Sequence, residues 1–303
     1  MNNLKYYIDK ALNEGFALGA FNFNNMESLQ AIAEGCKECR SPAIISVSEG
    51  ALEYMGGKVV KALANAVRED YPFLFLHLDH GKSVEVCKKA IELGFDSVMI
   101  DGSALGLEEN IKITKEVCEM AHPKNILVEG ELGQIKGIED NVEVEKQHYT
   151  NPKLAKVFIE KTGVDLLAVA IGTSHGAYKY SGEQTLRFDI LSEIEREIGS
   201  FPLVLHGAST VDKYYVDQIN KFGGKLNNPL GVPRELIVKA VKEHNIVKIN
   251  TDTDLRLAMT AGVREVLTQN PEVFDLRKYL GKGRENIKEL VKDKIENLFF
   301  SKL

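Results

Sequence analysis

The stretch Phe73–Gly81, FLFLHLDHG, decides how the rest of this chain is read. It opens as a run of bulky apolar residues, as a strand buried on both faces must, and ends on the polar turn Asp79-His80-Gly81. The same construction recurs along the chain. Short runs rich in Val, Ile, Leu or Phe predict strands at Ala17–Phe23, Ala43–Val47, Phe73–Asp79, Ser97–Ile100, Ile126–Glu129, Leu166–Ile171, Leu203–Leu205 and Val247–Asn250. The intervening stretches read as amphipathic helices: Val84–Leu93 puts Val84, Val86, Cys87, Ala90, Ile91 and Leu93 largely on one stripe. Eight strands alternating with helices predict an α/β fold, a closed (β/α)8 TIM barrel rather than an open sheet.

A chain of 303 residues suits one such barrel, and no linker divides it, so residues 1–303 are expected to form a single domain. Asn286–Phe299 lies beyond the eight units and is expected as an extra C-terminal helix packed outside. Apolar residues make up 44% and charged residues 27%, the balance of a soluble globular enzyme. A net charge of −6 argues against nucleic acid or an anionic membrane surface as partner. No apolar run approaches the about 20 residues of a membrane span, and MNNLKYYIDKALNEG lacks an apolar signal core, so a cytoplasmic location is expected. Cys36 and Cys39 form a CxxC inside an apparent helix with no second pair to complete a zinc site; they, Cys87 and Cys118 read as reduced helix cysteines.

Two segments break the rhythm. Gly133–Thr150 is polar and follows the fifth strand; a loop this long in a compact barrel is expected to be functional, a lid that closes over substrate. Phe222–Pro233, with its glycines and Asn227-Asn228-Pro229, breaks the helix after the seventh strand and reads as an excursion.

In a barrel of this kind the chemistry collects where the strands end. Four of these ends carry His77-Leu78-Asp79-His80-Gly81, Gly172-Thr173-Ser174-His175-Gly176, His206-Gly207-Ala208-Ser209 and Asn250-Thr251-Asp252-Thr253-Asp254. A lone histidine at such a place is ordinarily a hydrogen-bonded structural residue. His80, His175 and His206 at three matched ends instead suit a catalytic zinc ion, which keeps a fourth position open for substrate. His77 falls within its strand and reads as a packed neighbour. Asp79, one residue from a ligand, is positioned to exchange a proton with substrate; the bland alternative is a hydrogen bond to a ligand histidine. Gly176, Gly207, Ser209, Asn250, Asp252 and Thr253 supply N–H groups and hydroxyls near helix starts, the way barrels hold phosphate. Each alone would be a helix cap. Lys179, Arg256 and Arg277 are cations that a second phosphate would need.

Together these motifs resemble the class II fructose-bisphosphate aldolases, in the IIb branch that also holds tagatose-bisphosphate aldolases. The resemblance runs from AFNFNNMESLQAI (Ala20–Ile32) through SVSEGALEYMG, HLDHG, MIDGS, VEGELGQIKGIEDN, AVAIGTSHGAYK, LVLHGAS and KINTDTDLR to FDLRKYL (Phe274–Leu280), nearly the whole chain. It implies reversible cleavage of fructose 1,6-bisphosphate to dihydroxyacetone phosphate and glyceraldehyde 3-phosphate, in glycolysis and gluconeogenesis. It further implies that His80, His175 and His206 bind the zinc. Asp79 exchanges the proton of the aldehyde oxygen, and Glu139 that of the nucleophilic carbon. Asp101 and Glu131 match positions that hold the ion, or a second divalent or monovalent cation, in an alternative site. Ser48, Lys179 and Arg256 match contacts to the distal phosphate. Arg277 matches an arginine delivered from a neighbouring subunit, implying a homodimer or homotetramer.

Within that branch NTDTDLR and the insertion around Lys225–Val232 resemble the fructose enzymes, whereas tagatose enzymes more often read like NVATELK. Asp252 is the residue expected to read the hydroxyl configuration. The alternatives are a tagatose-bisphosphate aldolase, a metal hydrolase in which Asp79 activates water, and a non-catalytic sugar-phosphate-binding barrel. A Schiff-base mechanism would have Lys248 as its candidate and would leave the histidine set unexplained.

Overall fold

Eight parallel strands close into a barrel in this computed structural model, which describes residues 3–139, 142–144, 148–176 and 185–302, without the side chains of 136–139, 142–144 and 175. The strands are β1 (Leu18–Asn22), β2 (Ala43–Ser48), β3 (Leu74–Gly81), β4 (Ser97–Ile100), β5 (Leu127–Leu132), β6 (Leu166–Val169), β7 (Leu203–Leu205) and β8 (Ile246–Thr251), and β8 pairs back onto β1. All eight fall where short apolar runs predict them. Boundaries differ at β5, which runs three residues past the expected Glu129, at β3, which runs two past Asp79, and at β6, which stops two short of Ile171. Glu131 therefore lies inside a strand.

The interior is layered. Near the floor the inward positions are Leu18, Ala20, Ile44, Phe75, Leu127, Leu166 and Val204. Beyond them along the same inward-facing series come Asn22, Ser46 and Ser48, His77 and Asp79, Glu129 and Glu131, and His206, all buried. The barrel is thus apolar below and polar above, and the polar layers open at the C-terminal mouth.

The floor is closed by helix Leu4–Glu14, which presents Leu4, Tyr7, Ile8 and Ala11 to the inner apolar residues. Asn3 caps it by accepting from the Tyr6 amide at 3.0 Å, and Gly15 ends it in the left-handed region. Fully burying a side chain such as Ile8 contributes about 1.5–3 kcal/mol.

The extra C-terminal helix starts at Leu276 rather than Asn286, runs to Lys294, and passes into a π-helical turn, Ile295–Phe299. Its start is hidden in the sequence because Gly281 and Gly283 interrupt the apolar pattern. Gly283 is a contact point: a Cβ on Gly262 of the preceding helix, Thr253–Gln269, would lie 2.6 Å from its amide nitrogen.

The described residues of Gly133–Thr150 form strand pairs rather than a plain loop. Lys136–Glu139 pairs antiparallel with Val142–Val144, and Lys136 and Gly137 pair with Ser174 and His175. Gln134 and His148 form a bridge at the hairpin's base. The excursion at Phe222–Pro233 is tied down by Asn220, whose side chain donates to the Leu226 carbonyl at 2.9 Å and accepts from its amide at 2.7 Å. Cys36, Cys39, Cys87 and Cys118 are free thiols buried on helices, with burial pushing Cys87 and Cys118 up to about 12. Among the described residues no helix is long and apolar enough to cross a membrane.

Candidate active site

Asp79 occupies the centre of the polar mouth. Its carboxylate is held from both sides by amides: Asn22 Nδ2 on β1 donates to Oδ2 at 2.8 Å, and Asn250 Nδ2 on β8 donates to Oδ1 at 2.7 Å. His80 Nε2 and His206 Nδ1 each lie 4.0 Å from that same Oδ1. The two imidazole rings meet edge to face with centroids 4.5 Å apart.

Two consecutive residues of one strand would normally point to opposite faces. Asp79 and His80 share the mouth because the β3–β4 register shifts between Leu78 and Gly81, and His80 takes a φ of 47°. That left-handed conformation costs a non-glycine residue roughly 1–2 kcal/mol, so local preference is overridden here to bring the side chain inward.

Each histidine is oriented from behind by a carboxylate, which can only accept. Asp101 Oδ2, just beyond β4, lies 3.0 Å from His80 Nδ1, placing the ring proton on Nδ1 and the lone pair on Nε2. Burial opposes ionisation of Asp101, but bonds from His80 and from the Ser103 hydroxyl and amide hold its carboxyl below the usual range. Glu129 Oε1 lies 2.7 Å from His206 Nε2, leaving the Nδ1 lone pair toward Asp79. Burial, then the neighbouring His80, keeps His206 below the ordinary imidazole value despite Glu129. His77, within β3 as expected, has Nδ1 2.8 Å from Ser97 Oγ and is lowered to about 3 by burial and then by Lys248.

Among the described residues, two groups of donors could hold a metal ion. Ligand atoms of Asp79, His80 and His206 lie within 4.8 Å of one another, as do those of His80, Asp101 and Glu131. The groups share His80. Two nitrogens and an oxygen in the first, and mostly oxygen donors in the second, fit a divalent cation with an alternative position beside it. The third sequence candidate, His175, has its backbone paired with Gly137, so strand pairing links it to the hairpin that carries Glu139. The side chains of His175 and Glu139, and all of Lys179, lie outside the described residues.

Ser48 ends β2 in register with Asp79, and its Oγ accepts from the Ala51 amide to cap helix Glu49–Met55. Gly207 has a φ of 60°, and a Cβ there would lie 2.8 Å from the Ser174 carbonyl, so glycine lets the turns after β6 and β7 meet. Gly176 is also in the left-handed region. Ser209 is buried, and its carbonyl accepts from the Val232 amide. Thr253 begins the helix after β8. Asp252, one residue earlier, does not cap it with its side chain but pairs with Arg256. Arg277 is not gathered into the site within this chain: its side chain is 89% exposed and bonded to Asp275.

Three further residues belong to the site's architecture. Asn22 lies within AFNFNNMESLQAI and Glu129 within VEGELGQIKGIEDN, but neither is singled out there, and each shows itself as a polar residue at an inward position of an apolar strand. Lys248, the candidate for a Schiff base, lies 2.9 Å from Glu129 Oε2 and donates to Asn250 Oδ1 at 2.7 Å.

The comparisons agree with this geometry. Residues 2–302 match the family model described as fructose-bisphosphate aldolase class-II. The chain is 48% identical to a fructose-bisphosphate aldolase of Treponema pallidum, covering 95% of this chain and 92% of that one. It is also 48% identical to one of Thermus caldophilus, over 95% of this chain and 94% of the relative. The crystal structure of the YdjI aldolase from Escherichia coli K12 superposes with a TM-score of 0.79 at 31% identity, covering 100% of this chain and 98% of that one. The sequence and the barrel lead to one assignment: this chain belongs to the class II fructose-bisphosphate aldolase family.

Proposed function

We propose that this chain is a zinc-dependent aldolase that reversibly cleaves fructose 1,6-bisphosphate to dihydroxyacetone phosphate and glyceraldehyde 3-phosphate in the cytoplasm. The observation that carries this reading is the meeting of Asp79 with His80 and His206 at one buried point, each histidine backed by a carboxylate. His80, His175 and His206 would hold the zinc, with Asp101 and Glu131 offering the ion, or a second cation, an alternative position. A zinc ion bound there supplies a Lewis acid for the enediolate charge left when the C3–C4 bond breaks.

The chain's own residues do the rest. Asp79 takes the proton of the C4 hydroxyl as that carbon becomes the aldehyde, and returns it in the condensation direction. Asn22 and Asn250 hold its carboxylate so that both oxygens are fixed before substrate arrives. Glu139 delivers the proton to C3. Gly176, Gly207, Ser209, Asn250 and Thr253 bind the ketone-side half and its phosphate. Ser48, Lys179 and Arg256 bind the distal phosphate, joined by Arg277 from a neighbouring subunit of a homodimer or homotetramer. Residues 1–303 act as one barrel domain.

The test is cleavage of fructose against tagatose bisphosphate, before and after dialysis against a strong chelator and after zinc is restored. The proposal expects fructose bisphosphate to be preferred, activity to vanish on chelation, and zinc to bring it back. Full activity in metal-free protein, or borohydride trapping of substrate on Lys248, overturns it.

A further inference from the structure

Below the mouth, in the barrel interior, lies an ion pair whose lysine the chemistry above does not use. Lys248 Nζ and Glu129 Oε2 are 2.9 Å apart, and both side chains are 1% exposed. Such a pair is a poor device for stability, because desolvating two charges offsets most of their attraction. Each partner of this ion pair, however, makes a hydrogen bond to a residue of the mouth. Lys248 donates to Asn250 Oδ1 at 2.7 Å, and Glu129 Oε1 accepts from His206 Nε2 at 2.7 Å. Asn250 Nδ2 lies 3.1 Å from His206 Nδ1, which closes a ring of four side chains.

That ring has one consistent direction. A lysine ammonium can only donate and a carboxylate can only accept. With Lys248 as the source and Glu129 as the sink, Asn250 must turn its oxygen to Lys248 and its amino group to His206. The second amino hydrogen of Asn250 is then the one that reaches Asp79 Oδ1 at 2.7 Å. His206 must carry its proton on Nε2 and present Nδ1 as a lone pair. The geometry points to Glu129 and Lys248 as positioning residues: one buried charge pair sets the tautomer of His206 and the amide orientation of Asn250. The use of that lone pair as a metal ligand, which would displace the Asn250 hydrogen from it, rests on the aldolase reading above; the direction of the ring in the metal-free chain does not.

Glu129→Gln tests this. Glutamine has one carbonyl oxygen where glutamate has two acceptor oxygens. Lys248 takes it, and the glutamine amino group turns to His206 Nε2. In the metal-stripped full-length protein, ¹⁵N-histidine NMR should show His206 switching from the Nε2–H to the Nδ1–H tautomer. Zinc affinity, measured by competition with a chelator, should fall on the order of 10- to 100-fold. The double variant Glu129→Gln with Lys248→Met removes the competing donor, so the glutamine carbonyl returns to His206. The Nε2–H tautomer and most of the zinc affinity should return, while turnover stays at least roughly tenfold down because Asn250 has lost its anchor. A His206 that keeps the Nε2–H tautomer in the single variant, with unchanged zinc affinity, overturns the inference. If the single variant does not fold, the charge-free double variant decides: parent-like turnover overturns the inference, and tautomer retained with turnover lost supports it. The tautomer is read without metal or substrate, so a chain that proved not to be an aldolase would fail the function assay and leave this result standing.

Discussion

Asn250 and Asp79, 171 residues apart in sequence, are joined across the barrel mouth by an amide-to-carboxylate hydrogen bond of 2.7 Å. With the matching bond from Asn22, it fixes the carboxylate that stands 4.0 Å from a nitrogen of each histidine. Asp79→Ala removes the proton-exchanging group while leaving the carboxylates behind His80 and His206 in place. Turnover should fall about 10²–10⁴-fold, the usual contribution of a general acid–base group, with bound zinc unchanged by metal analysis. Near-parent turnover at full zinc content would make Asp79 a structural partner only.

A second buried pair, away from the chemistry, stabilises the turn after β7. Lys294 Nζ lies 2.7 Å from Asp254 Oδ2, and Asp254 accepts from the amides of Thr210 at 2.9 Å and Val211 at 2.6 Å. Val211 sits at a φ of 52°, so those bonds hold a backbone conformation disfavoured for a β-branched residue. Lys294→Met removes the ammonium that pairs with the buried Asp254 carboxylate. Stability in urea melts should drop by about 3–5 kcal/mol. A loss under 1 kcal/mol would show that the ammonium is not needed to hold this turn.

The eight strands were legible because a strand buried on both faces is a short apolar run, and FLFL, AIISV and LLAV allow little else. The mouth residues were legible because they follow those runs directly. The supports behind them were not. Asn22, Glu129 and Lys248 sit on β1, β5 and β8, and only closure of the barrel brings them together. The inward turn of His80 depends on a register shift that no local pattern announces. Helix Leu4–Glu14 stands outside the strand–helix alternation, because its role is to cover a floor that exists only once the barrel has closed.

Glu139 belongs to the short strand Lys136–Glu139, whose hairpin is laced to the Ser174–His175 segment through Gly137. That lacing connects the residue proposed to serve C3 with the proposed third metal ligand. Glu139→Ala should slow exchange of the C3 proton of dihydroxyacetone phosphate with solvent by about 10²-fold or more, measured by loss of tritium from labelled ketone. Exchange at the parent rate would assign that proton to another base.

The choice of sugar should depend on Asp252, and the structure sharpens how to test it. Its Oδ1 accepts from Arg256 Nε at 2.9 Å, and its Oδ2 lies 2.7 Å from Arg256 Nη2. One residue proposed to read a hydroxyl is therefore paired with one proposed to grip the distal phosphate. Fructose and tagatose bisphosphates differ only in configuration at C4, so discrimination must come from one hydroxyl. A carboxylate that accepts from the correct epimer loses that bond with the wrong one, at a cost of about 1–3 kcal/mol, or roughly 5- to 150-fold in relative kcat/KM. Asp252→Ala should thus lower cleavage of fructose bisphosphate more than that of tagatose bisphosphate, shifting their ratio by a factor in that range. Arg256→Ala removes a phosphate contact common to both sugars, so it should raise KM for each and leave the ratio where it was. The pair of variants separates the two roles. If Arg256→Ala moves the ratio as far as Asp252→Ala does, the preference comes from how the phosphate is seated, and Asp252 matters only as the anchor of Arg256.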